Sequence, residues 1–301
     1  MQSLSRGWLF LQQAWQMAFK DKDLIKPSIY ALIVGFFVSV VGIIPLIAAA
    51  FLFGGSSSYI GQAVMVVIGA ILVFAHYVVS YIFSGMTVYL IYGYLAEGDG
   101  RMDKAWAKVQ REVWNIISLA AASTVVNLFT SQLRRRGNRR GGANLIGSAL
   151  GGLIDAVWTE ASYLILPAMM IEDANLATGV KRATQIAKGN LLLIGVSTVG
   201  VRWVTGLISF LLGGIGLVLG FGVGFGLISL FNSSTTALVL GIGLGAMLFF
   251  VFAMLASVIS SYTMTAYNTC LFLWARDVEK AQVQGKPIQV AAPAPLAAVL
   301  G

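Results

Sequence analysis

Charged residues are scarce in this sequence and absent from long stretches of it. Only 11% of the 301 residues are Asp, Glu, Lys or Arg, whereas a soluble domain carries about a quarter. No charged residue occurs from 27 to 96, and Arg202 is the only one from 190 to 275. A membrane-crossing helix needs about 20 apolar residues, so these two tracts are long enough for several crossings. The shortage of charge excludes a soluble protein with a large core and predicts an integral membrane protein.

Cysteine and histidine are each represented by a single residue, Cys270 and His76. One cysteine cannot form a disulfide within the chain, and one His with one Cys cannot complete a zinc site of the usual type. The sequence also lacks the motifs of serine hydrolases, zinc proteases, nucleotide-binding loops and haem attachment. It therefore predicts a protein that is not an enzyme and that carries no metal or cofactor.

The hydropathy pattern predicts short and long helices in a repeating order. Three short segments place apolar and polar residues on opposite sides at helical spacing, which is typical of helices lying in the membrane interface. Six long segments are apolar throughout and are predicted to cross the membrane. The short segments are 3–20, 101–112 and 176–189, and the spans are 28–53, 59–95, 113–132, 143–171, a fifth that begins at 191, and 235–275. For residues 213–231 three alternatives stay open: a re-entrant segment, an extra crossing or part of a long hairpin.

We predict an all-α, polytopic membrane helix bundle built from three degenerate repeats. Each repeat joins one interfacial amphipathic helix to one helical hairpin, and internal repeats of this kind are common in membrane folds. The repeats cover 3–95, 101–171 and 176–275, and two of them end in similar sequence, MTVYLIYGYLAEGDG and MTAYNTCLFLWARDV. Residues 1–280 are expected to form one transmembrane domain, and 281–301 a flexible C-terminal tail.

Several short motifs occur in the order found in a known group of membrane proteins. They lie before the first span, at the end of the fourth helix, in the third interfacial helix and in the last helix. They are Ser5-Arg6-Gly7-Trp8, Lys22-Asp23-Leu24, Pro167 with Glu172, Gly179-Val180-Lys181-Arg182-Ala183, and Tyr267-Asn268. With these motifs the chain resembles an uncharacterised prokaryotic family of six-helix integral membrane proteins, and is distantly similar to the membrane domain fused to some glycerophosphodiester phosphodiesterases. The resemblance implies a six-helix topology and no particular activity.

The distribution of Lys and Arg predicts the orientation of the chain. With the N-terminus inside the cell, 14 of the 20 basic residues fall on cytoplasmic segments. The positive-inside rule therefore predicts a multi-pass protein of the cell membrane with both termini in the cytoplasm. Five arginines oppose this orientation because they lie in the loop of the middle hairpin: Arg134, Arg135, Arg136, Arg139 and Arg140. Either this loop is outside despite its charge, or the third and fourth helices do not fully cross and the loop returns to the cytoplasm.

The net charge of +8 arises from basic residues that flank apolar tracts. In that position anionic lipid headgroups are the expected counter-charge, and nucleic acid is not. The five loop arginines, together with Lys181 and Arg182, are the candidates for lipid contact. The alternative is that these charges only fix the topology.

Four polar residues lie where the sequence predicts membrane: His76, Asp155, Glu160 and Arg202. Charges inside a span are costly and usually face protein or water. One interpretation is an ion or proton pathway, with Glu160 titrating and Arg202 as its counter-charge or as an anion site. The other is a structural ion pair, or Asp155 lying near the headgroups beside Arg139 and Arg140. Asp155 and Glu160 are about 140° apart around a helix and cannot both point at one spot. His76 either relays protons near neutral pH or is hydrogen-bonded to a neighbouring hydroxyl.

Glycine is abundant and recurs at intervals of four in the last two spans. Such spacing lets two helices approach closely in a membrane, within a chain or between subunits. The candidate packing glycines are Gly216, Gly220, Gly224, Gly241 and Gly245.

Three hypotheses for function follow. The first is a non-catalytic scaffold or accessory subunit of a membrane assembly, working as a homo-oligomer or inside a larger complex. The second is a transporter or channel for a small solute, ion or lipid that uses Asp155, Glu160 and Arg202. The third is a lipid-handling protein whose long helices frame a groove for acyl chains.

Overall fold

The computed structural model describes residues 2–53, 58–138, 145–189, 191–230, 235–284 and 291–300, and these are helical almost throughout. Six of the helices are long and apolar enough, by length and composition, to cross a membrane, so the chain is a multi-pass membrane protein. In chain order the helices are α1 (Gln2–Lys20), α2 (Lys26–Leu52), α3 (Tyr59–Glu97), α4 (Met102–Arg111), α5 (Val113–Asn138), α6 (Leu145–Glu172), α7 (Leu176–Gly189), α8 (Leu191–Leu230), α9 (Thr235–Val283) and α10 (Ala294–Leu300).

The predicted six spans are confirmed as the six long helices, each beginning within two residues of its expected position. The order of one short and two long helices occurs three times, which is the order that the three-repeat hypothesis requires. A common origin of the three units stays a prediction. Residues 213–230 are the distal part of one continuous helix, α8, which pairs with α9 along its length. Of the three alternatives for this segment, the long hairpin is therefore the one observed.

The long helices begin and end where local chemistry allows it. Pro27 occupies the first turn of α2, where its missing N–H has no partner to lose. The side chain of Ser58 accepts a hydrogen bond from the backbone N–H of Gly61 at the start of α3, as an N-cap residue does. Gly98 ends α3 with a φ of 79°, a left-handed conformation that favours glycine. These signals mark the start of the first hairpin, the turn within it and its end.

The packed core lies at the end of the bundle where the short helices gather. Fully buried side chains include Phe10 of α1, Ile91 of α3, Met169 of α6 and Tyr267 of α9. Toward the hairpin tips the long helices instead expose large apolar side chains such as Phe221 and Val41, at 73% and 64%. In lipid these faces need no protein cover, because acyl chains are as apolar as they are.

Helix α1 is amphipathic, as predicted, and docks on the bundle through one face. Its Gly7 approaches Gly200 of α8 so closely that a Cβ at Gly7 would lie 2.5 Å from the Gly200 carbonyl oxygen. Further along, Tyr262 donates a hydrogen bond to the Ala14 carbonyl oxygen at 2.9 Å, and the Trp15 indole donates one to Thr263 at 3.2 Å. Helix α1 is thus held by α8 and α9, the hairpin farthest from it in the sequence.

The C-terminal segment differs from the flexible tail predicted for 281–301. Helix α9 continues to Val283, and α10 forms within the last described stretch. Helix α10 packs on α1, and Leu296 is completely buried there. The sequence prediction was misled because residues 291–300 are rich in alanine and proline, which resembles a linker. The contact between α1 and α10 brings both ends of the chain to the same side, as an even number of crossings requires.

An ion-pair cluster ties α4 to the end of α6. The Lys108 side chain is 7% exposed, and its ammonium contacts both Glu112, at 3.4 Å, and Asp173. Arg111 adds a second contact to Asp173 at 2.6 Å. Hydrogen bonding from Lys108 holds the pKa of Asp173 at about 2, below its ordinary value of 3.8. Asp173 has a φ of 54°, so the chain turns sharply at this residue as it leaves α6.

Candidate functional site: a hydroxyl-lined cavity between four spans

A cavity of about 570 Å³ lies between α3, α6, α8 and α9. Twelve of its 17 lining residues carry a hydroxyl group, and the others are Trp158 and four aliphatic residues. The lining residues of α3 lie 9 to 20 residues before its end at Glu97, or roughly 14 to 30 Å along the helix at 1.5 Å per residue. The hydroxyl residues are Tyr77, Ser80, Tyr81, Ser84, Thr159, Ser162, Tyr163, Ser209, Ser257, Ser260, Ser261 and Thr265. The cavity is therefore a polar space within segments that are otherwise apolar.

Helical spacing explains why these hydroxyls meet. On α3 the lining positions 77, 80, 81, 84 and 88 recur at intervals of three and four, and on α9 positions 253, 256, 257, 260, 261 and 265 do the same. Residues at such intervals lie on one face of a helix. Each of these helices thus turns a hydroxyl stripe inward and an apolar surface outward.

Six serines of the lining have free hydroxyl groups. In the part of the chain that the structure describes, none of the six makes a side-chain hydrogen bond: Ser80, Ser84, Ser209, Ser257, Ser260 and Ser261. Elsewhere in the spans such hydroxyls bond back to the preceding turn, as Ser39 does to Gly35 and Thr205 to Val201. None of the six is fully buried by protein, since Ser80 and Ser257 are exposed and the other four are half-buried. In apolar surroundings, a hydroxyl without a partner costs about 1–3 kcal/mol. The six free hydroxyls therefore call for water or a polar ligand in the cavity.

One wall of the cavity is held by a hydrogen-bonded serine outside it. Ser123 on α5 is completely buried and lies 2.7 Å from the Tyr81 hydroxyl. The same Ser123 oxygen accepts a hydrogen bond from the Trp158 indole at 2.9 Å. The Tyr77 ring stacks on Tyr81 with 5.8 Å between centroids. The aromatic side chains from α3 and α6 are thus fixed in place, which preorganises this wall for a ligand.

Glu160 and Arg202 form an ion pair that joins α6 to α8. Glu160 lies 12 residues before the end of α6 and Arg202 lies 11 residues after the start of α8, so both are about 17 Å along their helices. Their side chains are 34% and 39% exposed. The pair lies beside the cavity and not in its lining, because Tyr163, a lining residue, interacts electrostatically with both. These contacts are those of a structural ion pair, which is one of the interpretations that the sequence left open.

Asp155 is separated from that pair and has its own partner. Its carboxylate accepts a hydrogen bond at 2.8 Å from Arg134, one of the five arginines of the middle hairpin. The two carboxylates of α6 thus contact different arginines on different helices, as their angular separation predicts. The three charged candidates for a transport pathway do not converge on one point.

His76 is hydrogen-bonded to a hydroxyl on the neighbouring helix. Its Nε2 atom lies 3.0 Å from the Ser39 oxygen, and the Ser39 hydroxyl donates to the Gly35 carbonyl oxygen. Ser39 thus has both the Gly35 carbonyl oxygen and the His76 ring within hydrogen-bond distance. His76 joins α3 to α2 and is not part of the cavity lining.

The basic candidates for lipid contact fall into three groups. Arg134 is paired with Asp155, and Arg182 contacts both Glu172 and Glu279. Lys181 is exposed. The side chains of Arg135 and Arg136, and the whole of Arg139 and Arg140, lie outside the described residues. Arg182 therefore contributes less to a lipid site than its charge suggested, because two carboxylates already neutralise it.

The candidate glycines pack α8 against α9. A Cβ at Gly224 would lie 2.9 Å from the Gly241 carbonyl oxygen, and one at Gly216 would lie 2.6 Å from the Phe252 Cβ. Gly220 and Gly245 face each other in the same way. Close approach within the chain is thus the use observed for the five glycines.

Sequence reasoning missed the cavity, although part of its signal was visible. Tyr77, Ser80 and Tyr81 lie close to His76 in the sequence, but only His76 was predicted as a candidate site residue. The stripe formed by Ser257, Ser261 and Thr265 was overlooked because serine and threonine barely lower hydropathy. The intervals of three and four residues between Ser, Thr and Tyr along these helices predict such a stripe.

Compared with known proteins, the chain matches no family model and no curated protein. Among the described residues no group of three or more His, Cys, Asp or Glu side chains is placed to hold a metal ion. The resemblance drawn from short motifs stays a prediction, and the arguments for function depend on the cavity itself.

Proposed function

We propose that this protein is a non-catalytic membrane transporter or channel that takes a small polar solute into the cavity between α3, α6, α8 and α9. The observation that carries the proposal is the set of six serine hydroxyls without partners in the described chain, deep in apolar spans. Small-molecule sites commonly have volumes of about 300–1,000 Å³, and this cavity, at about 570 Å³, lies in that range. In this proposal Glu160 and Arg202 hold α6 against α8 beside the solute, and Asp155 with Arg134 holds α6 against α5.

The proposed orientation has both termini in the cytoplasm of the cell. The contact between α1 and α10 supports a shared side for the two ends. The excess of basic residues on segments joining the hairpins supports the cytoplasm as that side. The anionic headgroups of that leaflet are the proposed counter-charge for exposed basic residues such as Lys181.

Cysteine accessibility tests whether the cavity holds water. Cys270 is the only cysteine and is completely buried, so the wild-type protein supplies an unreactive baseline. Ser84→Cys and Ser257→Cys place a thiol in the cavity, and Gly222→Cys places one on the open outer surface of α8. A charged methanethiosulfonate reagent attacks thiolates, which form in water and not in lipid.

We expect both cavity variants to react at least tenfold faster than Gly222→Cys. Reaction of the purified protein in nanodiscs, followed by intact mass, gives these rates. Reconstituted protein should also release entrapped polar solutes, and bulky modification at position 257 should stop the release. Equal, slow reaction of all three variants would contradict a hydrated cavity and with it the transport proposal.

A second proposal is that the chain works as a homo-oligomer or as the scaffold of a larger membrane complex. It is supported by glycines on the outer surface of the α8–α9 hairpin, where Gly213, Gly222, Gly226 and Gly243 face open space. Such positions allow another helix to approach closely. Native mass spectra of protein taken from its own membrane distinguish a defined assembly from a monomer.

A further inference from the structure

We infer that the ligand of the hydroxyl-lined cavity is an uncharged, polyhydroxylated molecule, either a free polyol or sugar or the sugar or glycerol head of a neutral lipid. This inference rests on the proposed function and specifies the substrate class of the same site. It is carried by three features of the lining: the absence of charge, the number of free hydroxyls and the fixed aromatic wall.

The first feature is the absence of charge. None of the 17 residues that the structure places around the cavity is Asp, Glu, Lys, Arg or His. The ionised groups that interact with lining residues are Glu160 and Arg202, near Tyr163, and Asp155, near Tyr77. Each is paired with an opposite charge, Glu160 with Arg202 and Asp155 with Arg134. A charged ligand would lose its hydration in this space without gaining a counter-charge, which is strongly unfavourable. An uncharged ligand avoids that cost.

The second feature is the supply of hydrogen bonds. A serine hydroxyl both donates and accepts, and within the described chain the six lining serines have no other partner. A ligand with several hydroxyls can satisfy such groups from either direction, because it too donates and accepts at each position. A ligand that only accepts, or only donates, would leave some groups unpaired at a further cost. The lining therefore favours a ligand whose hydrogen-bond donors and acceptors alternate at close spacing, as those of a polyol do.

The third feature is the aromatic wall. Trp158 and Tyr81 are both fixed by Ser123, at 2.9 and 2.7 Å, and Tyr77 stacks on Tyr81. The faces of aromatic rings bury apolar surface while their polar tips remain hydrogen-bonded. A polyol or sugar ring has C–H faces between its hydroxyls, so it can place apolar surface on this wall and hydroxyls on the serines of α3 and α9.

The test measures binding to the full-length protein in nanodiscs with three probes that share one ring. Glucose is uncharged, glucose 6-phosphate is anionic, and glucosamine is cationic. Native mass spectra with a monoglucosyl diacylglycerol and with phosphatidylglycerol form the lipid arm. The double variant Ser257→Ala/Ser261→Ala removes two lining hydroxyls. Ser229→Ala is the matched control, because Ser229 lies on α8 outside the lining and its hydroxyl bonds to the Phe225 carbonyl oxygen.

We expect glucose, or the glucosyl lipid, to bind more tightly than its charged counterparts. The double variant should weaken that binding by roughly 25-fold, since each lost neutral hydrogen bond costs about a factor of five, and Ser229→Ala should leave it unchanged. Binding in the free-sugar arm identifies a soluble substrate, and binding in the lipid arm alone identifies a lipid head.

Two results would overturn the inference, and they differ in what they say about transport. Tighter binding of a charged probe, weakened by the serine double variant, would leave the cavity as a transport site and reject the uncharged substrate. Absence of any serine-dependent binding, together with slow cysteine modification at position 257, would reject the substrate class and the proposed function alike.

Discussion

Gly220 on α8 faces Gly245 on α9 so closely that a Cβ added to either residue would lie 2.5 Å from the other's carbonyl oxygen. No side-chain rotation can relieve such a contact, because the opposing atom belongs to the backbone. The two helices must therefore move apart when either glycine is replaced. Since α9 contributes six residues to the cavity lining and α8 contributes Ser209, the hairpin also determines the spacing of two cavity walls.

Replacing Gly220 or Gly245 by alanine is expected to destabilise the protein by about 1–3 kcal/mol, the usual cost of overpacking. The matched control is Gly222→Ala on the same helix, where a Cβ meets open space. That variant should be neutral in stability. Thermal unfolding in detergent, followed by circular dichroism, measures both. Equal effects at Gly220 and Gly222 would contradict the close contact between α8 and α9.

The ion pair between Glu160 and Arg202 should behave as a unit. Arg202→Gln or Glu160→Gln alone leaves one charge within the span, and a charge near the centre of a membrane helix costs about 2.5–3.5 kcal/mol on insertion scales. Each single variant should therefore lower folded yield and stability. The double variant removes both charges and should therefore regain most of the folded yield and stability that each single variant loses.

The comparison of the two single variants with the double variant is a mutant cycle. It is read from the amount of folded protein in the membrane and from its unfolding temperature. Strictly additive losses in the double variant would mean that the two side chains do not interact in the membrane.

Asp173 should contribute a pH-dependent part of the stability. Its pKa is held at about 2 in the folded protein by Lys108, against an ordinary value of 3.8. A carboxyl whose pKa is lower in the folded state stabilises the protein above its unfolded pKa and loses that contribution as the pH falls toward the folded pKa. The contribution is thus present above about pH 4 and lost between pH 4 and pH 2.

Asp173→Asn isolates this effect because Asn tolerates the left-handed backbone that Asp173 adopts. The variant should be less stable than the wild type at pH 6, and the difference should vanish near pH 2. Unfolding curves in detergent at a series of pH values provide the measurement. Asp99→Asn, in an exposed turn, is the control and should show no such convergence. A difference that stays constant from pH 6 to pH 2 would contradict the pairing with Lys108.

Six crossings predict that the loop of the middle hairpin lies on the opposite side from both termini. Lys22→Cys and Gln284→Cys should react with an impermeant maleimide only after cells are permeabilised, whereas Arg139→Cys should react on intact cells. The buried Cys270 again supplies the baseline. Reaction of all three only after permeabilisation would show that the arginine-rich loop returns to the cytoplasm.

Much of the fold could be predicted from the sequence because its signals are local. Charge-free tracts and amphipathic spacing indicate the helices, and Pro27 and Gly98 mark where they begin and end. The contacts that build the site are not local. The pairing of Asp155 with Arg134 and the meeting of Ser84 with Ser261 across the cavity depend on which faces of distant helices come together. Helix α10 was missed for the same reason, because Leu296 is buried where α10 packs on α1 and α9, and α1 is distant in the sequence.

The contact between α1 and α10 also affects how the protein is made. Helix α1 is synthesised before α8, α9 and α10, so Phe10 and Ala14 are covered by their final partners only after those later helices have been made. A chain cut short by incomplete translation lacks that cover and keeps an apolar face exposed, and such faces are the usual signal for chaperones and proteases. The contact between α1 and α10 thus forms only after all the helices between them have been made, and a chain that stops before α10 remains recognisable for removal.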